Sequence, residues 1–513
     1  MSVLLETSEH FAGSHYELHL APEGMALTQH GVVPADPQMQ AVSYQEVAGV
    51  SWEPRGRKLS IAIGGERPMW VIGGLKPAEA AWAQSLISAA AQRARLYQDE
   101  SFRGALTDDE LEKALGSLAE LDPPQAGVIA DLLLTQAVLR RATDLHLQPG
   151  SAAATVRLRI DGSLRAVASF PAAVAQRVVG RLKVLGGMQT FQHAVAQTGA
   201  AVMSVAGRQV DLRFTVLPTV HGEKLTVRLF DPGQALLDLD ALGMAPAVAA
   251  AFRERLDQPQ GTLLLTGPAG SGKTTTMYTA LAYLRERESD RSLATVEEPV
   301  ELDLAGVDQT EVNRPVGLDF AEGLRSVLRQ DPQVIMVGEI RDAETAHIAV
   351  QAGLTGHLVL STVHAPSAAG VFTRLAQIGV EPYLVASSVT AVLSQRLVRM
   401  VCAECGAFAA PSEEDLAGAG LTSADVAGDL RGGAGCARCE GTGYFGRTGL
   451  FALLPVSREM REAVLACRPL PELEDLAGRE SVGGLWEDGL AKVRAGQTTV
   501  AELRRVLGRR DLA

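Results

Sequence analysis

The chain is short of several things that its 513 residues could have held. Five cysteines are too few for a disulfide scaffold at this length and fit a reducing compartment. No apolar run approaches the ~18 residues that a membrane-spanning helix needs, so no such span is expected. The opening residues, MSVLLETSEH, lack the basic start and apolar centre of a secretory leader. Positive charge is also short, with 47 Lys and Arg against 60 Asp and Glu and a net charge of −13. That balance gives no general electrostatic reason to hold nucleic acid, although it is compatible with a local basic surface. The rest is ordinary globular composition, 47% hydrophobic and 21% charged, in a chain long enough for several domains.

One stretch stands out. Residues 261–278 read GTLLLTGPAGSGKTTTMY, an apolar run followed by G-x-x-x-x-G-K-T and a helix start. In that order, successive backbone N–H groups curve around a phosphate and the helix N-terminus adds a favourable dipole. Gly267, Pro268, Ala269, Gly270, Ser271, Gly272, Lys273, Thr274 and Thr275 are the expected nucleotide-binding residues. Lys273 would reach the β- and γ-phosphates, and the Thr274 hydroxyl would be a Mg²⁺ ligand.

Three further apolar segments of strand length follow, at 292–296, 334–337 and 358–362, and each ends in chemistry. Glu297 and Glu298 close the first, where they could polarise water or hold a metal's water shell, or simply be solvated turn residues. Glu339 follows the second. Gly338 stands where an Asp-Glu pair would carry aspartate, so Glu339 is the expected carboxylate for Mg²⁺ or the attacking water. His357 and His364 bracket the third and could sense the γ-phosphate or reach a neighbouring subunit, or be satisfied polar residues.

Ahead of this half, alternation at 16–20, 25–28 and 57–63, with 68–72, marks short strands. A helix at 77–95 would turn Trp82, Leu86 and Ile87 to one core. Strands closed by one helix resemble a pleckstrin-homology-like layout, suited to docking or to a structural extension. Helices are expected at 106–118, with a Thr107-Asp-Asp-Glu start, and at 124–141. Strands at 144–148, 155–160, 164–168, 208–215 and 223–230, with a helix at 172–185, make an α+β domain. Asp144 and His146 share one strand face there, as do Arg157 and Arg159.

Four cysteines form two close pairs, Cys402-x2-Cys405 and Cys436-x2-Cys439. Two pairs of soft ligands predict a closed, tetrahedral zinc site; no histidine or carboxylate completes it, and iron fits less well. Cys467, in the apolar stretch 460–467, reads as core packing, the segment 428–435 (GDLRGGAG) as a flexible linker, and 458–507 as helices.

Together these residues resemble the secretion and pilus-assembly ATPase family, in its type II secretion and type IV pilus extension branch. The match covers about 143–456 and rests on TDLHLQP, VRLRIDGSL, DLRFTVLPTVHGEKLTVRLF, the nucleotide loop and VEEPVE. It continues through LRSVLRQDPQVIMVGEIRDAETAHIAVQAGLTGHLVLSTVHA and GYFGRTGLFALLPV. The resemblance implies a multidomain α/β chain with a RecA-like P-loop ATPase core. The expected order is a PH-like docking domain (1–98), a helical linker (99–142), a PAS-like α+β domain (143–240), the ATPase core (241–400), a tetracysteine zinc element (401–443) and a helical region (444–513).

By that resemblance Glu339, Lys273, Glu297 and His364 are catalytic: 297–301 is the aspartate box, Gly338-Glu339 an atypical Walker B, and the segment to His364 the histidine box. Arg213 and Arg228 complete the nucleotide site, with Arg157 a further candidate and His357 on the nucleotide side. ATP, Mg²⁺ and Zn²⁺ are the implied ligands. The implied assembly is a homo-hexamer at the cytoplasmic face of the inner membrane. Its implied partners are a platform protein there and the cytoplasmic domain of a secretion or pilus assembly protein, with no stable nucleic acid and no transmembrane segment. A nucleic-acid-translocating ring, or a regulatory ring with low hydrolysis, is the alternative. Three departures from the family pattern stand out: Glu298 in place of aspartate, Ala365-Pro366-Ser367 in place of a Thr-Asn-Asp-like run, and 191–200 in place of a charged loop. Low or partner-dependent turnover would follow from the last.

Overall fold

The computed structural model describes residues 3–6, 15–20, 24–30, 38–53, 58–63, 70–73, 76–96, 104–120, 125–205, 208–230, 238–287 and 290–510. The side chains of Trp82 and Leu86, and residues Arg57, Pro68 and Pro124, lie outside that description. Packing divides the chain into two compact units. One comprises Met1–Leu158, Arg165–Gly207 and Leu212–Arg228, the other Arg159–Leu164, Arg208–Asp211 and Leu229–Ala513. No described helix is long and apolar enough to cross a membrane.

The first unit begins with a four-stranded antiparallel sheet (Val3–Glu6, His15–Leu20, Gly24–His30, Gln38–Ser43) and a three-stranded one (Val47–Glu53, Lys58–Ile63, Trp70–Gly73). Helix Pro77–Leu96 follows. Its Ala80, Ala83, Ile87 and Ala91 are buried at helical spacing and join the core with Leu59 and Ile61. Strands Val3–Glu6, Gln38–Ser43 and Val47–Glu53 were not legible from alternation. Helix Asp108–Ala119 opens on a capping box, with Glu110 N–H donating to Thr107 Oγ1 at 3.3 Å and Thr107 N–H to Glu110 Oε2 at 2.8 Å.

Six strands make the next sheet, in the order Ser163–Pro171, Ala153–Ile160, Ala142–Gln148, Gly222–Phe230, Arg208–Thr219, Gln197–Val205. Residues 197–200 of the segment expected as a loop at 191–200 thus belong to an edge strand. What precedes it is pinned by a buried lysine. Lys183 Nζ donates to the Gln192 carbonyl at 2.7 Å and to Glu223 Oε1 at 2.8 Å, while His193 Nδ1 lies 2.8 Å from Glu223 Oε2.

The second unit is built on a seven-stranded sheet, in the order Asp308–Glu311, Leu293–Glu297, Val334–Val337, Leu358–Thr362, Gly261–Thr266, Val389–Val401, Tyr444–Pro455. The first six run parallel and the last is antiparallel to its neighbour. Strands Gly261–Thr266, Val334–Val337 and Leu358–Thr362 are buried at every position, because helices cover both faces of a parallel sheet. That is why Leu263–Leu265, Val334–Val337 and Leu358–Leu360 read as apolar runs.

Beyond the sheet, Arg431–Gly433 pairs with Gly406–Phe408, so the segment expected as a flexible linker contains a paired strand. Cys467 is also corrected. It is exposed, two residues past helix Arg458–Leu465 and at φ 48°, rather than packed in a core. Helices Leu485–Arg494 and Val500–Leu507 pack on Val398 and Leu450. A buried carboxylate fastens the last of them, for Glu502 accepts from Arg399 at 2.7 Å and Arg505 at 2.6 Å. Burial pushes the Glu502 pKa up, but the two guanidiniums outweigh it and hold it below the ordinary carboxylate value.

Candidate functional site

Register alone assembles the site. Leu265 lies opposite Thr362, Val337 opposite Ser361, and Val296 opposite Val337. The residues just after those strands therefore meet at one edge: the glycine loop, Glu297, Glu339 and His364. This is the carboxyl edge, where open α/β sheets bind ligands. His357 falls elsewhere. Its carbonyl accepts from Gly261 N–H at 3.0 Å, at the start of both strands, and its ring Nδ1 lies 3.0 Å from the Ala352 carbonyl. The structure therefore does not bring His357 to the loop; the length of strand Leu358–Thr362 separates it from His364.

The loop runs from the buried strand into helix Lys273–Arg287. Gly267 and Gly272 sit at φ 155° and 86°. A Cβ on Gly267 would collide with the Gln395 carbonyl, and one on Gly272 would meet Gln395 Nε2 at 2.9 Å. Glycine is thus required on two grounds, conformation and contact with strand Val389–Val401. The Ser271 hydroxyl is buried within the loop without a hydrogen-bond partner. Such an orphan donor suits an anion in the cradle.

Lys273 is folded back on its own loop, its Nζ donating to the carbonyls of Gly267 at 2.8 Å and Pro268 at 3.0 Å. Burial lowers its pKa; the Glu339 charge draws it back up and the Arg396 charge presses it down further. The carbonyls offer the ammonium only a partial negative charge, whereas a phosphate oxygen meets it with a full opposite charge as well as a hydrogen bond. An entering phosphate would therefore take the ammonium from the loop carbonyls. Thr274, next on the helix, is half-buried.

The carboxylates differ in how they are held. Glu339 lies 2.5 Å from Arg341 Nη2 through Oε1 and 3.6 Å from His364 Nε2 through Oε2. Glu297 is buried and accepts from the Tyr278 hydroxyl, from Thr295 Oγ1 at 2.6 Å and from Gln309 Nε2 at 3.0 Å. The Tyr278 oxygen in turn accepts from Glu301 N–H at 3.0 Å, so this cage also fixes the turn that follows Glu297. Burial and then the Glu297 charge push the tyrosine pKa far up. Glu298 is taken up by Arg314 in a two-pronged pair at 2.7 and 3.0 Å, which holds its pKa below the ordinary value. The methylene by which it exceeds aspartate thus reaches an arginine.

Arg213 and Arg228 belong to the six-stranded sheet of the first unit, where Arg228 pairs with Asp144 at 3.3 Å. Sequence reasoning passed over Tyr278, Gln309, Gln395 and Arg396. The last two left one trace, a polar Ser394-Gln395-Arg396 run inside the mostly apolar strand VTAVLSQRLVRMV.

The four cysteines do come together. Cys402, Cys405, Cys436 and Cys439 place their sulfurs within 4.8 Å of one another, with contacts of 3.8 Å (402–436), 3.7 Å (405–439) and 3.8 Å (436–439). A metal bound by four thiolates at ~2.3 Å has S···S edges of ~3.8 Å, so the donor set fits zinc. Backbone N–H groups of Cys436 and Gly443 point at Cys439 Sγ from 3.2 and 3.3 Å. Burial pushes that thiol up, but these donors outweigh it and bring it down to about 6.

A phosphate loop at the carboxyl edge of a mainly parallel sheet, with a buried lysine and carboxylates at the ends of strands along the same edge, defines a RecA-like P-loop nucleotide-binding core. The particular family follows from comparison. Residues 120–505 match the model of the Type II/IV secretion system protein family, and the chain belongs to that family. It is 42% identical over 395 residues to the Type IV pilus assembly ATPase PilB of Thermus thermophilus, covering 77% of this chain and 44% of that one. It is 44% identical over 374 residues to the Type II secretion system protein HxcR of Pseudomonas aeruginosa, covering 73% and 76%. With the Type II secretion system protein E of Aeromonas hydrophila, identity is 42% over 388 residues and 76% of each chain. Among solved structures, the ATPase DotB of Legionella pneumophila superposes with a TM-score of 0.54 at 19% identity, over 74% of this chain and 95% of that one. That likeness is one of fold.

The buried Lys273 makes a testable link to pH. A bound phosphate raises the lysine's pKa, so binding takes up protons in the interval between its free and bound values. Affinity is then fullest below the free value and falls as pH rises through it. Calorimetric titration with Mg-ADP, in two buffers of different ionisation enthalpy, should show proton uptake that grows toward alkaline pH. Heats independent of buffer across that range would contradict the assignment.

Proposed function

We propose that the chain is an ATPase that powers type II protein secretion or the assembly of a type IV pilus or pseudopilus. The reading rests above all on one arrangement, Lys273 in its glycine loop with Glu339 at the same sheet edge, two strands away. Family membership and the names of the relatives support it. The loop N–H groups and Lys273 bind the phosphate chain and neutralise its charge. Glu339 orients the attacking water and accepts its proton, and His364 lies beside that carboxylate. Glu297, fixed by Tyr278, Thr295 and Gln309, holds the strand end in place for it. Thr274 and Glu339 would hold Mg²⁺, which when bound stabilises negative charge on the transferring phosphoryl group. Arg213 and Arg228 are proposed to act on the same nucleotide.

The working assembly we propose is a homo-hexamer at the cytoplasmic face of the inner membrane. It acts on a platform protein and on the cytoplasmic domain of a secretion or pilus assembly protein. The division into a docking domain (1–98), linker (99–142), α+β domain (143–240), ATPase core (241–400), cysteine element (401–443) and helical tail (444–513) belongs to the same proposal. A regulatory ring with little hydrolysis is the second reading. It is favoured by the ion pair that ties Glu339 to Arg341, since an oxygen already engaged by a guanidinium is less available to a water.

Lys273→Ala is expected to abolish both ATP turnover and secretion or pilus assembly in a complemented strain. Normal phosphate release by that variant would contradict the proposal. For the cysteine element we propose a structural Zn²⁺ on Cys402, Cys405, Cys436 and Cys439. Metal analysis of the purified chain should find one zinc per chain, released by a thiol-specific mercurial and lost in Cys436→Ser. A zinc content unaffected by that substitution would contradict it.

A further inference from the structure

Among the arginines of the second unit's sheet edge, Arg396 is the exception. Arg314 pairs with Glu298, Arg341 with Glu339 and Arg399 with Glu502. Arg396 donates only to backbone carbonyls, from Nη1 to Gln395 at 2.9 Å and from Nη2 to Pro366 at 3.2 Å. No carboxylate contributes to its electrostatics, and burial alone lowers its pKa. A half-buried guanidinium without a counter-charge is costly, and its neighbourhood says what would relieve it.

That neighbourhood is the glycine loop. Strand Val389–Val401 pairs with Gly261–Thr266 so that Ser394 lies opposite Thr266, which sets the next residues beside Gly267. A Cβ on Gly267 would lie 3.2 Å from Arg396 Nη1. The Arg396 charge is felt at Lys273, where it disfavours the ammonium. Two cations therefore share one small cradle with an unpartnered Ser271 hydroxyl. An anion there converts their repulsion into two attractions.

We propose that Arg396 is a phosphate-binding residue of the nucleotide site, holding the phosphate chain from the side of the loop opposite the Glu339 strand. This rests on the reading of the loop as a nucleotide site. The strand order supplies the sidedness. Gly261–Thr266 has Val389–Val401 on one flank, and Leu358–Thr362, then Val334–Val337, on the other. Arg396 and Glu339 thus approach the loop from different sides, one to bind and one to act on water.

The test uses the full chain and equilibrium binding of Mg-ADP and of a non-hydrolysable Mg-ATP analogue. Arg396→Ala should weaken both by about 10- to 100-fold, the loss of one charge-assisted hydrogen bond. Inorganic phosphate should raise the melting temperature of the wild type and leave that of Arg396→Ala unmoved. Added guanidinium ion should restore part of the lost affinity, which a merely structural role would not allow. Binding by Arg396→Ala within about twofold of wild type would overturn the proposal. If Arg396→Ala does not fold, Arg396→Gln decides: it keeps a hydrogen-bonding end but not the charge. A loss of about tenfold or more from a folded protein then supports the proposal, and affinity within about twofold of wild type overturns it. Wild-type binding that depends on Lys273 but not on Arg396 would sink this inference alone. A wild type that binds neither nucleotide would sink the nucleotide reading itself.

Discussion

Everything at the candidate site depends on the in-step parallel register of four short strands. Parallel hydrogen bonding of Gly261–Thr266, Leu293–Glu297, Val334–Val337 and Leu358–Thr362 ends them at a common edge. Residues far apart in the chain are thereby delivered to one place without any loop having to reach. The same burial that makes the register strict also removes water from the strand ends. A slip of one residue would turn each strand's side chains to the opposite face, against helices that fit them in only one way. Large-to-small substitutions in such a core typically cost 2–5 kcal/mol, so the edge is held stiffly.

On that edge the charges are arranged in a graded way. Glu298 is neutralised by Arg314, Glu339 is shared between Arg341 and His364, and Glu297 is enclosed by neutral donors. Lys273 in the loop and Arg396 on strand Val389–Val401 have no dedicated carboxylate among the described residues. Lys273 and Arg396 both rest on backbone carbonyls, partners weak enough to be exchanged. The resting site is therefore closed on itself by small interactions and biased toward an anion. The four-cysteine element, knit by its sulfurs and by one short strand pair, stands on the far end of strand Val389–Val401 and adds no group to the loop's chemistry.

Much of this was legible beforehand, for identifiable reasons. The central strands could be placed to the residue at Val334–Val337 and Leu358–Thr362 because burial on both faces leaves the apolar runs VIMV and LVL. The glycine loop and the cysteine pairs are short-range patterns whose spacing carries the geometry. What failed was long-range or directional. His357 and His364 look equivalent as brackets of one strand, and only the strand's direction sends one of them away from the loop. The cage around Glu297 draws on Tyr278 and Gln309, each more than ten residues distant, so a buried carboxylate read equally well as a turn residue. Arg396 sits in an apolar strand, and its meaning appears only when that strand is laid beside the loop. Cys467 has apolar company in sequence but a left-handed backbone that takes it out of the helix.

This edge is proposed to hydrolyse what its loop binds, with Glu339 acting on water. The most direct measurement follows phosphate release and nucleotide affinity together in the full chain carrying Glu339→Gln. That change keeps the shape and removes the base. Affinity should stay close to wild type with phosphate release lowered by ~100-fold or more, the usual weight of a positioned general base. Turnover that survives the substitution would contradict it.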